Sequence, residues 1–218
     1  MLKKEKLAKK NWLINCIMNL ANKLTIFRMV LVPIFVIIGY IGIPGEIIGI
    51  SNTIWCMNII FIIASITDKL DGYIARSRNQ VTTFGKFLDP LADKILVLSA
   101  LVMLVEFGKI PAWIPIIVLA REFLVSGYRL IAVQKGGKVI AASIWGKLKT
   151  VTQMLSIILI FIDKYNFGDF IKSNLNNMSG GDIIFNAVTT ILMFISVIAT
   201  IFSGYNYLKD GKELFKDN

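Results

Sequence analysis

Six apolar stretches, at roughly residues 26–43, 48–67, 88–107, 112–133, 151–162 and 183–204, leave few folds open to this chain. A helix needs ~20 residues to cross the hydrocarbon of a bilayer. All but the fifth stretch approach that length, and the fifth reaches it only if its helix begins near Gly146. Lipid offers the backbone no hydrogen-bond partner, so segments of this kind must be helices. The expectation is an all-α, polytopic membrane protein with six transmembrane helices. Only 17% of the residues are charged, against about 25% in soluble domains, and the mean hydropathy is +0.68. Ahead of the apolar stretches, residues 1–17 carry five lysines and then W-L-I-N-C-I. That segment reads as a basic amphipathic extension lying at the membrane surface; without a small-residue cleavage site it does not resemble a cleavable signal. Residues 18–218 form the six-helix domain, with no repeat and no soluble domain inserted.

The net charge of +10 would point to nucleic acid in a soluble protein. Here the cations cluster at the ends of apolar segments, so anionic headgroups and phosphorylated substrates are the expected partners and nucleic acid is not. Lysine and arginine concentrate in the N-terminus, the 76–86 and 134–149 connections and the tail, while the alternate connections carry only Lys109, Lys164 and Lys172. The positive-inside bias therefore predicts a multi-pass protein of the cell membrane with both termini cytoplasmic. The connection at 163–182 reads as a flexible external loop. Cys16 and Cys56 have no metal-ligand spacing, and the absence of histidine excludes His-based acid–base or metal chemistry.

Four of the fourteen acidic residues, Asp68, Asp71, Asp89 and Asp93, lie between two apolar runs. Residues three or four apart share a helix face, so these make two pairs of carboxylates, each pair pointing one way. Such pairs repel strongly at low dielectric unless a cation lies between them. Carboxylates suit Mg²⁺ or Mn²⁺, and four of them can serve two ions. Gly72 and Ala75 leave the helix face bare for a ligand, and Arg76 and Lys86 add the positive charge that a pyrophosphate requires. The bland alternative has the aspartates decorating a polar loop, with Asp89 capping a helix that begins at Pro90.

The spacing D-x2-D-G-x2-A-R-x8-G-x3-D-x3-D is present without a mismatch as Asp68, Asp71, Gly72, Ala75, Arg76, Gly85, Asp89 and Asp93. On these residues the chain resembles the CDP-alcohol phosphotransferases, and the resemblance extends over nearly all of it from Met18 onward. It implies that the aspartates hold two divalent ions against the diphosphate of a CDP-linked lipid, with Asp93 as general base. Gly72, Ala75, Arg76, Gly85 and Lys86 would shape the nucleotide site together with Asp68. The segment N-K-L-T-I-F-R contributes Asn22, Thr25 and Arg28. The resemblance sets Thr25 and Arg28 beside the nucleotide, whereas on local grounds Thr25 or Asn22 caps a helix and Arg28 snorkels to headgroups.

The stretch A-R-E-F-L-V-S-G-Y-R holds Arg121, Glu122 and Arg129 inside an apolar run, where charge is functional by default. Arg121 and Arg129 return to one face after two turns. Arg121 and Glu122, being adjacent, are expected to point apart and not to neutralise each other. Lys147 and Lys149 follow in W-G-K-L-K-T; alone they express the positive-inside bias, but with the two arginines they make a pocket for a phosphate monoester. This combination resembles the branch of the family that uses glycerol 3-phosphate as acceptor. It implies transfer of a phosphatidyl group from CDP-diacylglycerol to sn-glycerol 3-phosphate, with release of CMP, in a membrane-embedded homodimer; the positive-inside bias sets the active site on the cytoplasmic side. Two rivals remain at this point: a phosphatidyltransferase with a cardiolipin- or inositol-type acceptor, and an intramembrane cation transporter.

Overall fold

A computed structural model describes residues 20–77, 83–134, 144–171 and 178–210, with the backbone alone at 20–21, 71–77, 83–84, 86–87, 133–134 and 210. The basic extension at 1–17 lies outside the described residues. Among them are six helices: α1 (Leu20–Ile41), α2 (Asn52–Ser77), α3 (Thr83–Glu106), α4 (Trp113–Gln134), α5 (Ile144–Ile162) and α6 (Gly180–Asp210). The described residues are all-α with one exception, a two-residue antiparallel ladder of β1 (Glu46–Ile47) and β2 (Ile50–Ser51). Ile48 and Gly49 turn that hairpin with φ of 57° and 72°, the left-handed pair favoured by two-residue hairpin loops.

Among the described residues, four helical segments are long and apolar enough to cross a membrane: Asn22–Ile41, Asn52–Leu70, Ile144–Ile162 and Gly180–Lys209. The fifth stretch attains its length as expected, because α5 starts at Ile144. Helices α3 and α4 fall short of that apolarity for a chemical reason. They carry Asp89, Asp93 and Lys94, and Arg121, Glu122 and Arg129, respectively.

The chain divides into two compact units, Met1–Ser99 and Ala100–Asn218. In the first, α1 packs on α2 through stripes of helical period. On α1 the buried stripe runs Phe35, Val32, Arg28, Thr25, so its apolar end gives way to a polar one. On α2 it runs Met57, Phe61, Ala64 and then Asp68. The stripe of α3 holds Gly85, Asp89, Ala92 and Leu96. Each helix thus buries apolar side chains along most of the stripe and presents a polar group where it ends.

In the second unit α6 packs against α5 and α4. Its buried face is unusually polar: Asn186, Thr189, Ser196, Thr200, Ser203 and Tyr207, with Met193 among them. At one end of this unit residues 163–170, the described start of the connection expected to be a flexible loop over 163–182, are held by hydrogen bonds. Buried Asp163 accepts from Asn186 Nδ2 (3.0 Å), Thr189 Oγ1 (2.7 Å) and the amide of Tyr165 (3.0 Å). The amides of Gly168 and Phe170 bond to Thr190 and Asn186 of α6. Lys109 Nζ donates to the Asp163 carbonyl at 2.6 Å. Burial pushes the pKa of this lysine down, against the opposing pull of Asp163 and Asp169.

Candidate active site

The polar ends of the stripes in the first unit meet. Arg28 is fully buried, and its Nη1 donates to Asp68 Oδ1 at 2.5 Å. Thr25 Oγ1, also buried, donates to Asp89 Oδ1 at 2.6 Å. Thr25 and Arg28 are one turn apart on α1, and residues three apart on a helix are neighbours on its surface. Asp68 of α2 and Asp89 of α3, 21 positions apart in the chain, are therefore gathered onto a single turn of α1. Asp93 lies one further turn along α3 on the face of Asp89 and is partly buried.

This geometry overturns the local alternatives. Arg28 does not snorkel to headgroups, because a buried guanidinium needs a nearby anion and Asp68 provides it. Thr25 lies inside α1, which begins at Leu20, and gives its hydroxyl proton to Asp89 instead of capping a helix. Asp89 is no N-cap either: α3 begins at Thr83, so Pro90 stands inside the helix. A proline at that position removes one intrahelical hydrogen bond.

Of the other motif positions, Gly85 is buried in α3. Asp71, Gly72, Ala75 and Arg76 belong to α2 and Lys86 to α3, but their side chains lie outside the described residues. Among the described residues, which exclude the side chain of Asp71, no three acidic side chains stand together as an ion site. The donor chemistry that is present, carboxylate oxygen from α2 and α3, is that of hard divalent cations.

The second unit assembles the cations. Arg121 Nη2 donates to Ser203 Oγ of α6 at 2.6 Å, and Arg121 Nη1 to Glu122 Oε1 at 2.9 Å. Lys149 Nζ of α5 reaches the same Glu122 oxygen at 2.5 Å. Arg129 Nη2 donates to Tyr207 Oη at 3.1 Å. Tyr207 lies between the two arginines, with each guanidinium carbon 5.8 Å from its ring centroid. Lys149 is buried, whereas Lys147, two positions earlier and hence across the helix, is exposed.

One expectation is corrected here: Arg121 and Glu122 do pair. Adjacency on a helix sets the Cα–Cβ bonds about 100° apart, but both side chains are long and flexible enough to close that gap, and Lys149 draws the carboxylate inward. Ser203 and Tyr207 went unforeseen because nothing local marks a serine and a tyrosine four apart. Only the packing of α6 on α4 brings them to the arginines.

The sequence profile of the CDP-alcohol phosphatidyltransferases matches residues 18–202. The chain is 38% identical over 205 residues to a CDP-diacylglycerol–glycerol-3-phosphate 3-phosphatidyltransferase of Bacillus subtilis (strain 168), covering 91% of this chain and 97% of that protein. It is 39% identical over 199 residues to the Haemophilus influenzae protein of that name, covering 89% and 94%. A Mycobacterium tuberculosis (strain H37Rv) protein, named as a probable phosphatidylglycerophosphate synthase, is 35% identical over 192 residues, covering 88% and 81%. With a profile match over most of its length and relatives this similar from end to end, the chain belongs to the CDP-alcohol phosphatidyltransferase family.

Proposed function

We propose that this protein transfers the phosphatidyl group of CDP-diacylglycerol to the primary hydroxyl of sn-glycerol 3-phosphate, releasing CMP. The observation that carries the reading is the gathering of Asp68 and Asp89 onto the turn of α1 held by Thr25 and Arg28. Repelling carboxylates drawn together at the polar ends of buried stripes make sense as a cation site facing a diphosphate.

Asp68, Asp71, Asp89 and Asp93 would hold two Mg²⁺ or Mn²⁺ ions, which supply Lewis-acid stabilisation of charge on the diphosphate. Thr25 and Arg28 orient Asp89 and Asp68, and Gly72, Ala75, Arg76, Gly85 and Lys86 line the approach of the nucleotide. Asp93 takes the proton of the attacking hydroxyl. The phosphate monoester of the acceptor binds Arg121, Arg129 and Lys149, and Lys147 adds positive charge at the same end of α5. A neutral acceptor would leave these cations without a purpose. The acyl chains need no closed pocket, because helices facing lipid let them stay in the bilayer. Positive connections set both termini and the active site on the cytoplasmic side, and the working form is a homodimer.

The test is an assay of purified protein with CDP-diacylglycerol and a panel of acceptors, read as CMP release. Glycerol 3-phosphate is expected to support turnover, with a chelator abolishing it and Mg²⁺ or Mn²⁺ restoring it. Turnover with inositol 1-phosphate or phosphatidylglycerol in its place would overturn the acceptor assignment, and undiminished synthesis in chelator would overturn the metal.

A further inference from the structure

The cationic cluster carries its own anion. One oxygen of Glu122 receives both Arg121 and Lys149, and the side chains concerned keep only 20%, 13% and 8% of their exposure. At such burial an Arg–Glu–Lys triad interacts far more strongly than it would in water. Arg121 also buries its Nε without a hydrogen-bond partner among the described residues, so the guanidinium retains a donor that Glu122 and Ser203 do not use. The triad therefore keeps a net positive charge and a spare donor, while its carboxylate stands against the two cations best able to receive a phosphate.

We propose that Glu122 is a positioning residue that sets the affinity of this cluster for the phosphate monoester, deliberately holding it down; the inference rests on the acceptor assignment made above. The carboxylate keeps Arg121 and Lys149 together when no substrate is bound, where two bare cations would otherwise repel. It then repels the incoming dianion. The chemistry of the transfer gives this a use. The new bond forms at the hydroxyl, so the phosphate monoester of the acceptor reappears unchanged on the lipid product. Every increment of affinity for that group strengthens product binding as much as substrate binding, and binding both equally does not raise turnover. A pocket of bare cations would hold its product; a pocket that carries a competing carboxylate releases it. Glu122, at 20% exposure, is also the most accessible member of the triad.

The experiment uses inorganic phosphate as the probe. Glu122→Gln keeps an oxygen able to accept from Arg121 and Lys149 but removes the charge. It is expected to lower the inhibition constant of inorganic phosphate and the KM for glycerol 3-phosphate together, roughly five- to tenfold, with the KM for CDP-diacylglycerol unmoved and kcat reduced. A merely structural glutamate would raise both constants or leave them where they are, and either result overturns the proposal. Should that variant not fold, Glu122→Gln combined with Lys149→Met restores the net charge of the triad. The pair is expected to inhibit with phosphate as the parent protein does, whereas Lys149→Met alone binds phosphate more weakly. Absence of any such rescue also overturns the proposal. If the parent protein shows no CMP release dependent on glycerol 3-phosphate, the acceptor assignment itself has failed; if it does and Glu122→Gln behaves as the parent, only this inference falls.

Discussion

The two sites are electrostatic opposites built by one device. In the first unit an anionic cluster contains a cation, Arg28 against Asp68; in the second a cationic cluster contains an anion, Glu122 against Arg121 and Lys149. The difference is access. Arg28 is sealed at 0% exposure, and Glu122 retains 20%. A sealed counter-ion holds the Asp68 carboxylate in one place, which is what the proposed ligand role asks of it. An accessible one can be exchanged for a substrate that must come and go.

The largest effect should come from breaking the anionic site at its chemistry. Asp93→Asn is expected to lower turnover about a thousandfold, as loss of a general base does, while binding of CDP-diacylglycerol measured directly is retained. Next, Arg28→Met leaves Asp68 without its partner. Loss of this charge-assisted bond is expected to cost ~2 kcal/mol, read as a fall in thermal midpoint, whereas Glu122→Gln, which keeps an oxygen able to accept from Arg121 and Lys149, should stay within ~1 kcal/mol of the parent. Equal losses in the two variants would erase the distinction between sealed and accessible counter-ions. Arg121→Ala should raise the KM for glycerol 3-phosphate roughly 10- to 100-fold, the range for one charged hydrogen-bonding partner, with little change for CDP-diacylglycerol. The smallest effect belongs to Thr25→Val, which removes the hydroxyl bound to Asp89 and is expected to cost ~1 kcal/mol together with a modest loss of turnover.

What could be read beforehand followed from range along the chain. The aspartate spacing, the bare Gly72–Ala75 face and the six apolar runs are local patterns of helical period, and the helices appear where those runs lie. The partnership of Arg28 with Asp68 spans 40 residues, and that of Arg121 with Ser203 spans 82; no local pattern encodes either. For that reason the hydrogen bonds of Thr25 to Asp89 and of Arg28 to Asp68 are visible only in the fold. The Arg121–Glu122 pair was missed differently. On a helix the sequence fixes the direction of Cβ, and in long side chains the charged group departs from it. The hairpin at 46–51 was hidden because an isoleucine in a left-handed turn runs against local preference.

The central claim is that the aspartates clamp divalent ions onto a lipid-linked diphosphate, and Mn²⁺ binding followed by electron paramagnetic resonance tests it without relying on turnover. The purified protein with CDP-diacylglycerol should bind two Mn²⁺ per chain in spin–spin contact, and Asp89→Asn should lose at least one. Stoichiometry and spectrum unchanged between the parent and a variant with Asp68, Asp71, Asp89 and Asp93 all replaced by asparagine would contradict it.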